Sequence, residues 1–318
     1  MAGVTFFPLE CWNTELAMAV GQIPQDAGHQ PGCPKGPKLG YGGSSYGYPS
    51  VVTPPEERPM PRLAANLGYL FAHRPLLERF GAAAASGFRA VELQFPYEQP
   101  ADAVRREIER HHLRILGINT PLGPAAEAGL AGVPGRERDF EALFRQALDY
   151  AVGIGATAIH CMSGQVPPRQ QAEGEKVFVA NLTRAADVAG ERGIMILVEP
   201  INRRDRPGYL LHRPEQAAAI IAQVDRPNVR MQFDFYHVQI EGGDLMTRFA
   251  RHHTVIGHVQ VAAVPSRAEP DEGEVNYPAI FEMLDRSDYA GFVACEYRPR
   301  RRTEDGLGWA RRYGVGVG

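Results

Sequence analysis

The spacing of apolar positions in this chain changes at Met60. Beyond it, short apolar runs alternate with segments in which apolar side chains recur every three to four positions. This is the pattern of buried strands separated by amphipathic helices. The runs predict strands at Leu63–Leu67, Ala90–Phe95, Arg114–Asn119, Ala158–Met162, Met195–Glu199, Arg230–Asp234, Gly257–Val261 and Val293–Glu296. Helical spacing predicts helices at Pro75–Ser86, Ala101–His112, Glu137–Val152, Glu173–Arg192, Pro214–Val224, Leu245–Arg251 and Pro278–Asp285. Strand–helix alternation over the 259 residues from 60 to 318 fits a single (β/α)8 TIM barrel, whose usual length is about 250 residues. An open doubly wound sheet is the competing arrangement. No glycine-rich phosphate loop follows the first strand, which disfavours a dinucleotide domain.

The polar positions that end the last four predicted strands carry the chemistry. Ile194–Val198 is apolar without a break and stops at Glu199; the next three strands run into Asp234, Gln260 and Glu296. In a barrel, strand C-termini converge on one mouth, where barrel enzymes place their active sites. Three carboxylates crowded there repel one another and raise one another's pKa, and a divalent cation removes the conflict. Two Glu, one Asp and a Gln carbonyl form an all-oxygen donor set, which suits Mg2+ or Mn2+ better than Zn2+. The plainer alternative is that each acid caps the following helix or pairs with an arginine.

His237, three residues past Asp234, is placed in a loop lining the same mouth as a substrate-binding candidate. Arg267 is a candidate for a substrate carboxylate through its planar fork. Arg298 and Arg300–Arg302 read as a solvated basic edge, and His160 as a satisfied core or mouth residue. Cys161 and Cys295 read as buried small hydrophobes.

Composition narrows the remaining classes. The 318 residues carry 34 basic and 37 acidic side chains, a formal net charge of −3, without the basic face of a nucleic-acid binder. No apolar run reaches the ~18–20 residues of a membrane span. Residues 1–20 hold no Lys or Arg and so lack the charged start of a secretory signal. Four cysteines make no disulfide framework, and a cytoplasmic setting is the expectation. From Gly21 to Met60, 16 of the 40 residues are Gly or Pro. Residues 1–59 are therefore expected to be a low-complexity, disordered extension, with the catalytic barrel occupying 60–318.

Several segments together resemble one family: Met60–Leu67, Val91–Tyr97, Val133–Glu137, Val198–Asn202, Asp234–His237, Gly257–Gln260, Gly273–Tyr277 and Cys295–Pro299. In this order they are similar to hydroxypyruvate isomerases, among the xylose isomerase-like barrels. The resemblance runs from Met60 to about Trp309. It implies conversion of hydroxypyruvate to tartronate semialdehyde through a metal-stabilised enediolate. The two catalytic glutamates fall on Glu199 and Glu296, the metal ligands on Glu199, Asp234, Gln260 and Glu296, and a substrate contact on His237, beside which Arg267 keeps the role read from its own chemistry. Related sugar 3-epimerases carry a His where this chain has Gln260. The expected partner is a small 2-oxo or hydroxy acid, with no nucleic acid and no membrane, and a homo-oligomer is allowed. Rival readings are 2-oxo-tetronate isomerase, a metal-dependent nuclease and a non-catalytic sugar-acid sensor.

Overall fold

A computed structural model describes residues 61–124 and 127–316. The expected extension at 1–59 lies outside the described residues. The strands are β1 (Leu63–Asn66), β2 (Ala90–Glu92), β3 (Arg114–Ile115), β4 (Gly117–Asn119), β5 (Ala158–His160), β6 (Met195–Val198), β7 (Val229–Asp234), β8 (Ile256–Val261) and β9 (Val293–Cys295). The helices are α1 (Leu76–Ala85), α2 (Ala101–Arg110), α3 (Glu137–Ile154), α4 (Gln171–Gly190), α5 (Pro214–Val224), α6 (Phe235–Glu241), α7 (Leu245–His252), α8 (Tyr277–Arg286) and α9 (Thr303–Gly306). All strand pairs in the sheet are parallel, in the order β3-β2-β1-β9-β8-β7-β6-β5-β4. This is the expected barrel, with the third strand broken in two at Leu116. β3 pairs with β2, while β4 pairs with β5. Hydrogen bonds Leu116 N–Val91 O (2.8 Å) and Leu93 N–Gly117 O (3.0 Å) carry the ladder across the break.

Strand side chains alternate between the two faces of the barrel wall. Outward residues such as Val91, Ile196, Met231, Phe233, Val259 and Val293 pack against the apolar faces of the helices in one continuous core. On α3, Phe140, Phe144, Ala147, Leu148, Ala151 and Ile154 are buried at helical spacing, and Gly155 in the left-handed region ends the helix. Inside the barrel, on the side of β9, β1 and β2, the level below the mouth is built from small residues. Ala64, Ala90 and Ala294 cluster there with Leu116 and Phe292. Barrels of this type usually fill that space with bulky branched side chains. Here a cavity of about 250 Å3 runs from Arg62 and Arg114 at one end to Glu199 and Glu296 at the other.

One glycine in the loop between β4 and α3 is required by both conformation and space. Gly129 has φ +97°, and a Cβ there would sit 2.3 Å from the Met162 carbonyl oxygen, a backbone atom that cannot swing aside. Gly129→Ala is expected to lower the unfolding free energy by about 2–4 kcal/mol in urea titrations. A loss below about 0.5 kcal/mol would show that this loop relaxes freely.

Candidate active site at the barrel mouth

Once the barrel closes, a polar residue stands at the C-terminal end of every strand around the mouth. Asn66, Glu92, Asn119, His160 and Asp234 are the last residues of β1, β2, β4, β5 and β7. Glu199 and Glu296 directly follow β6 and β9, and Gln260 is the penultimate residue of β8. Register sets them side by side: Asn66 pairs with Glu92, Asn119 with His160 and Asp234 with Gln260. Glu92, Glu199, Asp234, Gln260 and Glu296 are all buried.

The centre is formed by Glu199, Asp234, His237, Arg267 and Glu296. Asp234 fulfils the plainer expectation with one oxygen only. Its Oδ1 accepts from Tyr236 N (2.9 Å) and caps α6, while Oδ2 has no hydrogen-bond partner. Glu296 Oε1 accepts from Arg267 Nη2 and from Gln94 Nε2, both at 3.0 Å. Glu199 Oε2 accepts from Gln232 (2.9 Å), and its Oε1 is buried without a hydrogen-bond partner.

His237 lies in a helix, which corrects the loop placement expected from sequence. Phe235 stacks on Phe249 of α7 with ring centroids 5.9 Å apart. That packing turns the first residues after β7 into α6 and buries His237 at 3% exposure. His237 Nδ1 faces the Asn202 side-chain amide nitrogen at 2.6 Å and the Asn202 backbone N–H at 3.4 Å. The Asn202 amide is itself oriented, because its Oδ1 accepts from Asp205 N (2.9 Å). Two donors on Nδ1, one of them at 2.6 Å, against the single one of Arg267 Nη2 on Nε2 at 3.4 Å assign the ring proton to Nε2. Nε2–H then points at the two unpartnered oxygens, 3.7 Å from Glu199 Oε1 and 3.6 Å from Asp234 Oδ2.

Arg267 reaches the centre from the loop after β8. Its backbone is left-handed (φ +55°), an unusual state for a side-chain-bearing residue. Bonds from Arg267 N to Ala263 O (2.8 Å), from Ala263 N to Ala268 O (3.0 Å) and from Arg298 N to Arg267 O (2.7 Å) hold it there. The guanidinium lies between the rings of Tyr69 (5.1 Å) and Tyr236 (4.8 Å), and its Nε is buried without a partner. Outside it opens a cavity of about 520 Å3 whose charged lining is Arg204, Arg206, Arg267 and Arg298 against Asp205.

Sequence reasoning missed an inner layer. Glu92 Oε1 accepts from Asn66 Nδ2 and Gln260 Nε2, both at 2.7 Å, and Glu92 Oε2 lies 2.6 Å from His258 Nε2. Gln232 Nε2 bridges Gln260 Oε1 (2.8 Å) and Glu199 Oε2 (2.9 Å). Of the expected ligand residues, Gln260 thus sits in this network, with its carbonyl already accepting one hydrogen bond. The available signal was a pair of polar residues two apart on one strand, Gln232/Asp234 and His258/Gln260, which share the inward face. One further expectation is corrected in part. His160 stands at the mouth, as expected, but it is not satisfied: neither ring nitrogen has a hydrogen bond, and its Nδ1 lies 3.4 Å from Glu199 Oε2. Arg298 and Arg300–Arg302 form the expected exposed edge, and Arg300 also pairs with Glu269 (2.9 Å), Asp271 (2.7 Å) and Glu272 (2.6 Å). Cys161 and Cys295 are buried, as expected.

Burial dominates the electrostatics. It pushes the Glu199 carboxyl well above the ordinary range, and the neighbouring Glu296 and Asp234 charges push it further. Glu296 rises to about 8, driven by burial and only partly offset by Arg267. Asp234 rises to about 6, again through burial, against the pull of Arg267 and its helix-capping bond. Burial and then Arg267 hold His237 well below its normal value, so the imidazole is neutral. Glu199, Asp234 and His237 bring ligand-type atoms within 4.8 Å of one another, a group able to hold a metal ion.

The model of the xylose isomerase-like TIM barrel matches residues 80–313. The chain belongs to that family. Within the family, it is 46% identical to 2-oxo-tetronate isomerase of Cupriavidus necator over 257 residues, 80% of this chain and 99% of that one. It is 44% identical to a putative hydroxypyruvate isomerase of Homo sapiens over 262 residues, 79% of this chain and 95% of that one. A crystal structure described as AP endonuclease, family 2, from Brucella melitensis superposes with a TM-score of 0.78. It is 43% identical and covers 80% of this chain and 100% of that one. Like these isomerase relatives, this member of the xylose isomerase-like family is an isomerase.

Proposed function

We propose that this isomerase interconverts hydroxypyruvate and tartronate semialdehyde (2-hydroxy-3-oxopropanoate), with Glu199 and Glu296 as acid and base. The observation that carries the reading is the division of charge at the mouth. Glu199, Asp234 and Glu296 crowd the inner end, while four arginines against one aspartate line the outer cavity. A small acid whose reactive hydroxyketone end lies opposite its carboxylate is oriented by such a site. Its carboxylate takes the Arg267 fork, whose Nε has no other partner.

One glutamate removes a proton from C3, leaving a planar enediolate, and the other delivers a proton to C2. The C3 hydroxyl proton moves to the C2 oxygen, so that no atom is gained or lost. His237, neutral and with its proton on Nε2, donates a hydrogen bond to a substrate oxygen. Burial raises both carboxyls, Glu296 to about 8 and Glu199 well above the usual range, which suits the one that delivers a proton; a bound cation would favour the ionised form that the base needs.

The donor set fits a divalent cation. Glu199 Oε1 and Asp234 Oδ2 are buried oxygens with no hydrogen-bond donor, and Arg267 Nη2 is 4.0 Å from the latter. Glu199, Asp234, Gln260 and Glu296 would hold Mg2+ or Mn2+, which would polarise the substrate carbonyl and acidify the neighbouring C–H. His237 lies within reach of the same ion, but with its proton on Nε2 it serves as a donor to substrate and would become a ligand only by moving that proton to Nδ1.

The 46% identity to a protein named 2-oxo-tetronate isomerase favours, as a second reading, a four-carbon 2-oxo acid in the same site. The outer cavity of about 520 Å3 has room for its extra carbon. Nucleic acid forms no part of our reading, since the inner mouth carries carboxylates that repel phosphodiesters and the chain is net −3. We place the enzyme in the cytoplasm. Among the described residues, no helix is long and apolar enough to cross a membrane. Proton NMR in D2O with Mg2+ tests the proposal on both acids. The expected result is tartronate semialdehyde from hydroxypyruvate with deuterium at carbon. Turnover of the four-carbon acid alone would transfer the assignment to the second reading, and turnover of neither would end both.

A further inference from the structure

Glu92 and His258 lie beneath the site, buried and paired at 2.6 Å, and no step of the proposed reaction uses them. The groups packed around the pair have a single polarity. A carboxylate only accepts hydrogen bonds, whereas an amide presents a donor at one end and an acceptor at the other. At Glu92 Oε1 both neighbours are amide nitrogens, Asn66 Nδ2 and Gln260 Nε2. Asn66 is fixed independently, since its Oδ1 accepts from Gly68 N at 2.9 Å. With its nitrogen held by Glu92, Gln260 must turn its carbonyl the other way. That carbonyl accepts from Gln232 Nε2, which donates to Glu199 Oε2 as well. The chain ends with Glu199 Oε2 occupied and Oε1 free.

We propose that Glu92 is a positioning residue: through Gln260 and Gln232 it sets the direction of a hydrogen-bond chain that holds Glu199 with Oε1 presented to the reaction. This explains how an amide can serve at position 260. A glutamine side chain alone has no preference between its two ends, and a buried carboxylate on one side supplies it. His258 holds the other carboxylate oxygen of Glu92 and keeps it from turning. Partners that orient a ligating or catalytic group in this way are worth about 10–100-fold in metal affinity or rate when removed.

The inference rests on the proposed role of Glu199, and its test is read in two ways. Titration calorimetry with Mn2+ reports the set of Glu199 without any substrate, and kcat against KM reports it in turnover. Glu92→Met and Gln232→Met are each expected to weaken Mn2+ binding and lower kcat by about 10–100-fold, with KM within about threefold. Glu92→Gln, whose amide oxygen can still accept from Asn66 and Gln260 while its nitrogen faces His258, is expected to recover most of both. In the double variant Glu92→Met/Gln232→Met the losses should not multiply, because both changes cut one chain. Multiplied losses would mean that Glu92 acts on the site by a route independent of Gln232 and would overturn the proposal. So would wild-type Mn2+ affinity and kcat in Gln232→Met, a variant that leaves the Glu92–His258 pair intact and serves if Glu92→Met does not fold. A wild-type protein that turns over neither acid would remove the substrate reading, and the Mn2+ titrations would still decide this one.

Discussion

Glu199→Gln and Glu296→Gln are each expected to lower kcat on the order of a thousandfold while leaving the melting temperature unchanged or higher. The amide has the size of the carboxylate and keeps an oxygen for the existing donors, Gln232 at position 199 and Arg267 with Gln94 at position 296. It can neither take nor give a proton at ordinary pH. Stability should not suffer, because burial and mutual repulsion raise both pKa values, so each ionised carboxyl is a cost to the fold. The sign follows from the direction of the shifts: a raised carboxyl pKa means that the native state binds protons more readily than the unfolded chain. The destabilisation grows as pH rises above the ordinary carboxylate value and is complete above the raised one. Removing the charge therefore helps most at neutral and higher pH. Steady-state kinetics paired with thermal melts check both halves. Losses below about tenfold in both single variants would dismiss the glutamates as acid and base.

Chelation should give the second large effect. Dialysis against EDTA is expected to reduce the rate at least about a hundredfold, and Mg2+ or Mn2+ should restore it. The same ions should raise the melting temperature, because they bind the native carboxylate cluster and not the unfolded chain. At a concentration a hundred times Kd, that linkage amounts to about 2.7 kcal/mol. Asp234→Asn should abolish most of the thermal shift, since it removes the charge beside the unpartnered Oδ2. Activity that is indifferent to chelation in a preparation shown by elemental analysis to be metal-free would eliminate the ion from the site.

The parts of this site that were legible in the sequence are those where local and global signals coincide. Ile194–Val198 has no polar residue until Glu199, so both the strand and its functional end are visible in one run. The break at Leu116 was not visible, because the run Arg114–Asn119 looks like one strand until its two halves are seen to serve different neighbours. α6 is seven residues long, too short to show a helical period. Its form depends on Phe235 meeting Phe249 from another helix, a tertiary event. Glu92 and Gln232 carried a weak signal in the alternation of their strands, but their roles depend on partners far along the chain. Glu92 meets His258 across 166 positions, and Asn202 fixes the tautomer of His237 across 35. Residue types and strand ends announce which groups arrive at the mouth. The orientation of each amide and imidazole is settled only when the barrel closes.

The alanines beneath one side of the mouth have a mechanical consequence. A rim standing over a cavity draws little stiffness from below beyond the His258 contact to Glu92, so its members must brace one another sideways, as the stones of an arch do. Asn66, Glu92, Gln260, Gln232 and Glu199 form one such course of touching neighbours. Damage to one of them should travel around the circumference to the reacting groups, while the outer shell of helix and strand contacts barely registers it. In this barrel the parts that keep the fold standing and the parts that keep the site in shape are largely different residues.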